Sequence, residues 1–193
     1  MITRRTLLAS AAALGLTAPL PAFAVTQQAA TQLVGQLVAE VNAVIASGQP
    51  EGAMLAEFER IFLRHADVPT IAAYVLGPAR RAATPAQMQA FMQAYSAYVA
   101  RKYGGRFREF IGGEVEVVTA RDLPRGVEVE TRALLRGQSP FRVDFHVEDS
   151  TGRPLFFNLI IEGVNMLLSE RQEVLAMLDA RGGSLDRLIA DLA

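Results

Sequence analysis

Along this chain the spacing of apolar residues changes period twice, and each change removes most of the folds open to it. Residues 27–47 carry Leu33, Val34, Leu37, Val38, Val41, Val44 and Ile45, three and four apart. That is the 3.6-residue repeat of a helix with one buried stripe. From residue 114 the repeat becomes two. Val127, Val129, Thr131, Ala133 and Leu135 alternate with Glu128, Glu130 and Arg132, and Phe141, Val143, Phe145 and Val147 alternate with Arg142, Asp144, His146 and Glu148. A period of two places these sets on opposite faces of half-buried strands. After residue 165 the helical spacing returns. Helices, then strands joined by short Gly/Pro turns, then helices predict one α+β domain built on an antiparallel meander.

Local signals set the boundaries. Gly48-Gln49-Pro50 ends the first helix. A second is expected over residues 52–64, with Met54, Leu55, Phe58, Ile61 and Phe62 on one side. A short third starts at Asp67-Val68-Pro69 and ends near Leu76-Gly77. Thr84-Pro85 supplies a hydroxyl cap and a proline in the first helical position, and that helix is expected to run to Tyr103 and, past Gly104-Gly105, toward Phe110. About four strands are expected, over residues 114–119, 127–135, 141–148 and 155–161, the last apolar on both faces. A helix over 165–180 closes at Gly182-Gly183, and Ser184 caps a last one over 185–192.

Residues 1–24 read as a cleaved leader. Arg4-Arg5 precede an uncharged stretch from Ala9 to Leu20, and Ala22-Phe23-Ala24 has the small-x-small form that a signal peptidase cuts. Thr3 before the arginine pair and Leu7-Leu8 after it resemble a bacterial twin-arginine signal; an ordinary secretory leader with two arginines is the alternative. The leader would remove 2 of the 19 basic residues and none of the 20 acidic ones, leaving 17 against 20 and a net charge of −3 over residues 25–193. Such a chain has no global attraction to nucleic acid or to an anionic surface. It has no cysteine, so no disulfide, thiol catalysis or thiolate metal site is available. No later apolar run reads as long enough to span a bilayer. The expected product is a soluble periplasmic domain over 25–193.

A search for chemistry finds little. Of the two histidines, His146 reads as a solvated side chain on a charged strand face, and His65 as a cation in the last turn of a helix. No serine lies in a G-x-S-x-G elbow, and the Gly-Gly pairs read as helix stops and turns. Glu128 and Glu130 read as an exposed pair. Arg80-Arg81 and Arg101-Lys102 suit either an anionic headgroup or plain solvation. No enzyme, no metal and no cofactor is expected. What remains is an excess of apolar residues, 51% of the chain. Periodicity alone leaves two readings, a close-packed core or an apolar cavity between sheet and helices, and favours the first.

Two stretches carry a family resemblance. Tyr74-Val75-Leu76-Gly77, Ala83-Thr84-Pro85-Ala86-Gln87, Phe91, Tyr95 and Tyr103, followed by 161–166 (Ile-Glu-Gly-Val-Asn-Met), Arg171 and 182–185 (Gly-Gly-Ser-Leu), resemble in order the MlaC/toluene-tolerance family. The likeness runs over residues 31–192. It departs where the family usually has tryptophan (Pro154 here), aspartate (Asn158), serine (Asn165), tyrosine (Glu170) and phenylalanine (Val174), which points to a divergent branch, such as one associated with hopanoid export. The resemblance implies a curved sheet covered by N- and C-terminal helices around an apolar cavity for lipid tails. It implies a phospholipid or related lipid as cargo, and as partners an inner-membrane ABC lipid transporter and an outer-membrane lipoprotein complex. The cavity-wall candidates are Leu76, Phe91, Tyr95, Val129, Ala133, Phe141, Val143, Phe145, Phe157, Leu159, Ile161, Val164, Leu167 and Leu168, each with ordinary core packing as its alternative. A structural or adaptor module of an envelope complex, without lipid, is the competing function.

Overall fold

The computed structural model describes residues 25–104 and 113–193. The expected leader and the expected extension of a helix to Phe110 lie outside the described residues. Six helices and five strands follow one another as α1 (Gln27–Ala46), α2 (Glu51–His65), α3 (Val68–Leu76), a 3₁₀ turn (Gly77–Arg81), α4 (Pro85–Gly104), β1 (Glu114–Asp122), β2 (Val127–Leu134), β3 (Phe141–Glu148), β4 (Leu155–Ile161), β5 (Val164–Asn165), α5 (Met166–Asp179) and α6 (Leu185–Leu192). The strands form one antiparallel sheet in sequence order.

Caps explain where the helices begin. Thr26, Asp67, Asn165 and Ser184 each accept a backbone N–H two or three residues into the helix that follows. Thr84 and Gln87 satisfy one another's backbone N–H groups at the start of α4. α1 is long and apolar enough to cross a membrane by length and composition, contrary to the reading that no later segment is. Here its apolar stripe, Ala30, Leu33, Val34, Leu37 and Val38, packs on β1 and β2 instead. α3 and α5 lie on β4, and α4 forms a second layer against α2, α3 and α6. The core runs through both layers, from Val34, Val75, Val129 and Val147 to Phe91, Leu188 and Leu192. Fully burying each such side chain contributes about 1.5–3 kcal/mol.

Two bulges shape the sheet. In β1 the register slips between Val117 and Thr119, so Val117 faces Thr131 while Ala120 faces Val129. Val118 is left exposed. The slip resets the alternation, which is why the period of two breaks near residue 119 although the strand continues to Asp122. In β4 the slip at Phe157 lets Phe156 pair with Val147 and Leu159 with Phe145. Both therefore share the inward face of β3, and a strand apolar on both faces follows. The fifth strand, absent from the four expected, closes a hairpin through Glu162 and Gly163, both at positive φ. That is a two-residue primed turn, but glutamate in its first position is not a usual turn signal.

The outer face of the sheet is not freely solvated. Glu128, 6% exposed, accepts from Arg121 Nε at 2.6 Å and Arg142 Nη2 at 3.3 Å, and meets His146 Nε2 at 3.3 Å. Asp144 pairs with Arg142 at 2.7 Å, and Glu148 holds Arg125 through two hydrogen bonds. The arginine stems cover the carboxylates, so the exposed pair expected at Glu128 and Glu130 is corrected to a shielded ion-pair ladder. His65 is likewise buried rather than a simple cap, with Nε2 3.1 Å from Glu40.

Candidate functional site

Between the inner face of the sheet and the helices lies a cavity of about 520 Å³. Its sheet side is Ala133, Phe141, Val143, Phe145, Phe156, Phe157, Leu159 and Ile161. Its helix side is Leu37, Val38 and Val41 from α1, Phe58, Ile61 and Phe62 from α2, Ile71 from α3, Tyr95, Val99 and Tyr103 from α4, and Met166, Leu167 and Glu170 from α5. Exposed Gln138, in the β2–β3 connection, also touches it, so the cavity reaches the surface there.

Nine of the fourteen residues singled out from sequence meet on this wall: Tyr95, Ala133, Phe141, Val143, Phe145, Phe157, Leu159, Ile161 and Leu167. Five do not. Leu76, Phe91 and Val129 are wholly buried in the close-packed core away from the cavity, because neighbouring helices cover them. Val164, in β5, and Leu168, on the flank of α5 opposite Met166 and Glu170, face outward, 54% and 43% exposed. The α1 and α2 residues were missed. Their apolar spacing is visible in the sequence, but spacing does not distinguish a side chain facing a cavity from one facing core.

Several polar atoms on the wall are already engaged. The Thr131 hydroxyl donates to the Val143 carbonyl at 2.8 Å, and Asn158 Oδ1 accepts from the Leu167 N–H at 3.0 Å. Glu170 accepts from Lys102 Nζ at 2.7 Å, from the Tyr103 hydroxyl and from the Tyr95 hydroxyl. Burial first, and then the Glu170 carboxylate, push the Tyr95 and Tyr103 hydroxyls well above their ordinary range, so both stay neutral donors. Burial on its own would lower Lys102. Its hydrogen bonds to Glu170 and Glu173 outweigh that and push it up, keeping it charged. Among the described residues, no buried side-chain polar atom lacks a partner. A cavity of this kind asks nothing of an occupant except hydrocarbon.

No three histidine or carboxylate side chains among the described residues are placed to hold a metal ion. The chain matches the family described as MlaC protein over residues 35–193. It is also similar in fold to a solved structure, the phospholipid-binding protein from Ralstonia solanacearum in complex with a phospholipid. That match has a TM-score of 0.69 and 22% identity, and covers 84% of this chain and 98% of the other.

Proposed function

The chain belongs to the MlaC family, and we propose that its cavity takes the hydrocarbon part of a phospholipid or related lipid, which it carries through the periplasm as the soluble member of an ABC-type transport system. The observation that carries this reading is the cavity itself: about 520 Å³, lined on its sheet and helix sides mostly by apolar side chains. That volume lies in the range of sites that enclose a small hydrophobic ligand. The bound phospholipid in the Ralstonia solanacearum protein of like fold supports the same cargo.

The physical case for a carrier is simple. Each methylene exposed to water costs about 0.8 kcal/mol, so an acyl chain of about sixteen carbons meets a barrier near 13 kcal/mol on leaving a bilayer unaided. A protein that covers the tail and leaves the headgroup in water removes most of that barrier. No covalent step is needed, and the driving energy would come from the transporter. Export through the leader of residues 1–24 places the chain in the aqueous gap where such a carrier works.

Mass spectrometry of an organic extract of the natively purified protein tests the reading. Phospholipid or a related lipid near one equivalent is the expected result. Repeated extracts with no lipid would overturn it and favour a module that only bridges envelope proteins.

A further inference from the structure

A second cleft of about 250 Å³ lies outside the cavity, where the turn after α3 meets α5. Tyr74, Gly77, Arg80, Arg81 and Arg171 line it. Arg171 is held in place: Nη1 donates to the Tyr74 carbonyl at 3.0 Å, and its guanidinium lies 5.0 Å from the centre of the Tyr74 ring. It also lies flat against Gly77, whose missing Cβ would stand 2.9 Å from Nη2. Arg80 and Arg81 reach the cleft from the end of the 3₁₀ turn and are exposed.

Six of the arginines elsewhere have acidic partners. Arg60, Arg64, Arg121, Arg125, Arg142 and Arg181 each pair with a carboxylate. Among the described residues Arg80, Arg81 and Arg171 are in no such pair, so three positive charges face one cleft with nothing to offset them. Exposed apolar side chains lie close by along the chain. Tyr74 is 38% exposed, and Leu168, one helical turn before Arg171, and Val164 are more so. These are three of the five large apolar side chains exposed among the described residues. Guanidinium groups bind phosphate oxygens in a planar fork, and apolar side chains beside them enter the boundary between headgroups and acyl chains.

We propose that this cleft docks the chain on the surface of an anionic phospholipid bilayer, with Arg80, Arg81 and Arg171 on headgroup phosphodiesters and Leu168 and Val164 in the interface. Charge complementarity requires a local site, because residues 25–193 carry a net charge of −3 and are repelled by such a surface as a whole. The apolar rim favours a bilayer over the acidic face of a protein. Docked this way, the membrane lies close to the cavity, since Met166, Leu167 and Glu170 of the same helix line it. The docking site stands on the cleft alone and holds whether or not the cavity is loaded.

The test is co-sedimentation of residues 25–193 with vesicles of phosphatidylcholine, alone or mixed with phosphatidylglycerol. Binding to the mixed vesicles, weakening as salt rises, is expected. Arg80→Gln with Arg81→Gln should weaken it by roughly fivefold for each arginine, and Arg80→Glu with Arg81→Glu should abolish it. Leu168→Ser should weaken vesicle binding without changing competition by inorganic phosphate. Thermal melting confirms that these exposed variants stay folded. Equal vesicle binding by wild type and the double glutamine variant overturns the proposal. So does binding of inorganic phosphate without binding of vesicles, which marks a free-anion site. Arginine-dependent capture of an acidic protein without vesicle binding overturns it too.

Discussion

Lys102 sets its ammonium 2.7 Å from a Glu170 carboxylate that is only 5% exposed in the cavity wall. The pair anchors α4 to α5 across the cavity, with the Tyr95 and Tyr103 hydroxyls on the same carboxylate. Lys102→Met should leave that carboxylate with tyrosine donors alone and destabilise the protein by about 2 kcal/mol. The loss falls below the figure for a fully buried pair because Lys102 is partly exposed. Adding Glu170→Gln should restore part of it. Denaturant midpoints of the two single variants and the double variant check the cycle, and additive losses would contradict the coupling.

The same cluster predicts a flat stability profile around neutrality. Hydrogen bonds from Lys102 and Tyr98 hold the Glu173 carboxyl below its usual range, so its contribution is present above about pH 4.3 and is lost as pH falls further. Burial first, then the bond to Glu173, push the Tyr98 hydroxyl up to about 12. Its contribution is complete below about pH 10 and is lost as pH rises toward 12. Unfolding midpoints should therefore plateau between about pH 5 and pH 10, and a steady decline between pH 6 and 9 would contradict this assignment.

Ala133 and Val129 lie on the same face of β2, but only Ala133 lines the cavity. Ala133→Trp should fill that space and abolish lipid retention while the fold survives. Val129→Ala should instead cost about 2 kcal/mol of stability and leave retention unchanged, since it opens a hole in closed core. Thermal melting with lipid quantification separates the two. A loss of about 1–3 kcal/mol or more in Ala133→Trp would show overpacking instead of a usable cavity.

Gly126 and Gly77 both sit at positive φ but should not tolerate alanine equally. A Cβ on Gly126 would stand 2.1 Å from the Val147 carbonyl oxygen, in the backbone of the paired strand. On Gly77 it would meet the guanidinium end of Arg171, which can shift only by giving up its contacts with Tyr74. Gly77→Ala is expected to cost about 1–3 kcal/mol in backbone strain, with the lost Arg171 contact added. Gly126→Ala should cost more, because strand pairing must shift. Equal melting temperatures for the two variants would count against this difference.

Arg4→Lys with Arg5→Lys keeps the charge of the leader and its apolar run. A receptor that reads the planar fork of the arginine pair should reject the change, so the variant is expected in the cytoplasm as uncleaved precursor. Normal accumulation of cleaved protein in the periplasm would assign the leader to the general secretory route.

Much of the fold was legible because it is written in local chemistry. Asp67, Asn165 and Ser184 cap the helices whose starts they mark, and alternation along 127–134 and 141–148 is a property of the strands themselves. The cavity was legible only in part. Alternation placed Phe141, Val143 and Phe145 inward, but Leu76 and Phe91 look the same in sequence and are sealed by neighbouring helices. The extension of β1 past its bulge, the turn through Glu162 and the burial of Glu128 all depend on which partner strand or arginine stands opposite.

By itself, then, the sequence determined the order of the helices and of the four longer strands, most of the helix caps, the inward faces of β2 and β3, and the absence of thiol chemistry. Those follow from backbone periodicity, hydrogen bonding within a few residues, and composition. Tertiary structure alone decided which inward side chains border space and which border other side chains. It also decided that α1, apolar enough for a bilayer, covers a sheet instead, and that three arginines from two separate segments share one cleft. Each of these depends on the distance between residues far apart in the chain, and no spacing along the chain encodes that distance.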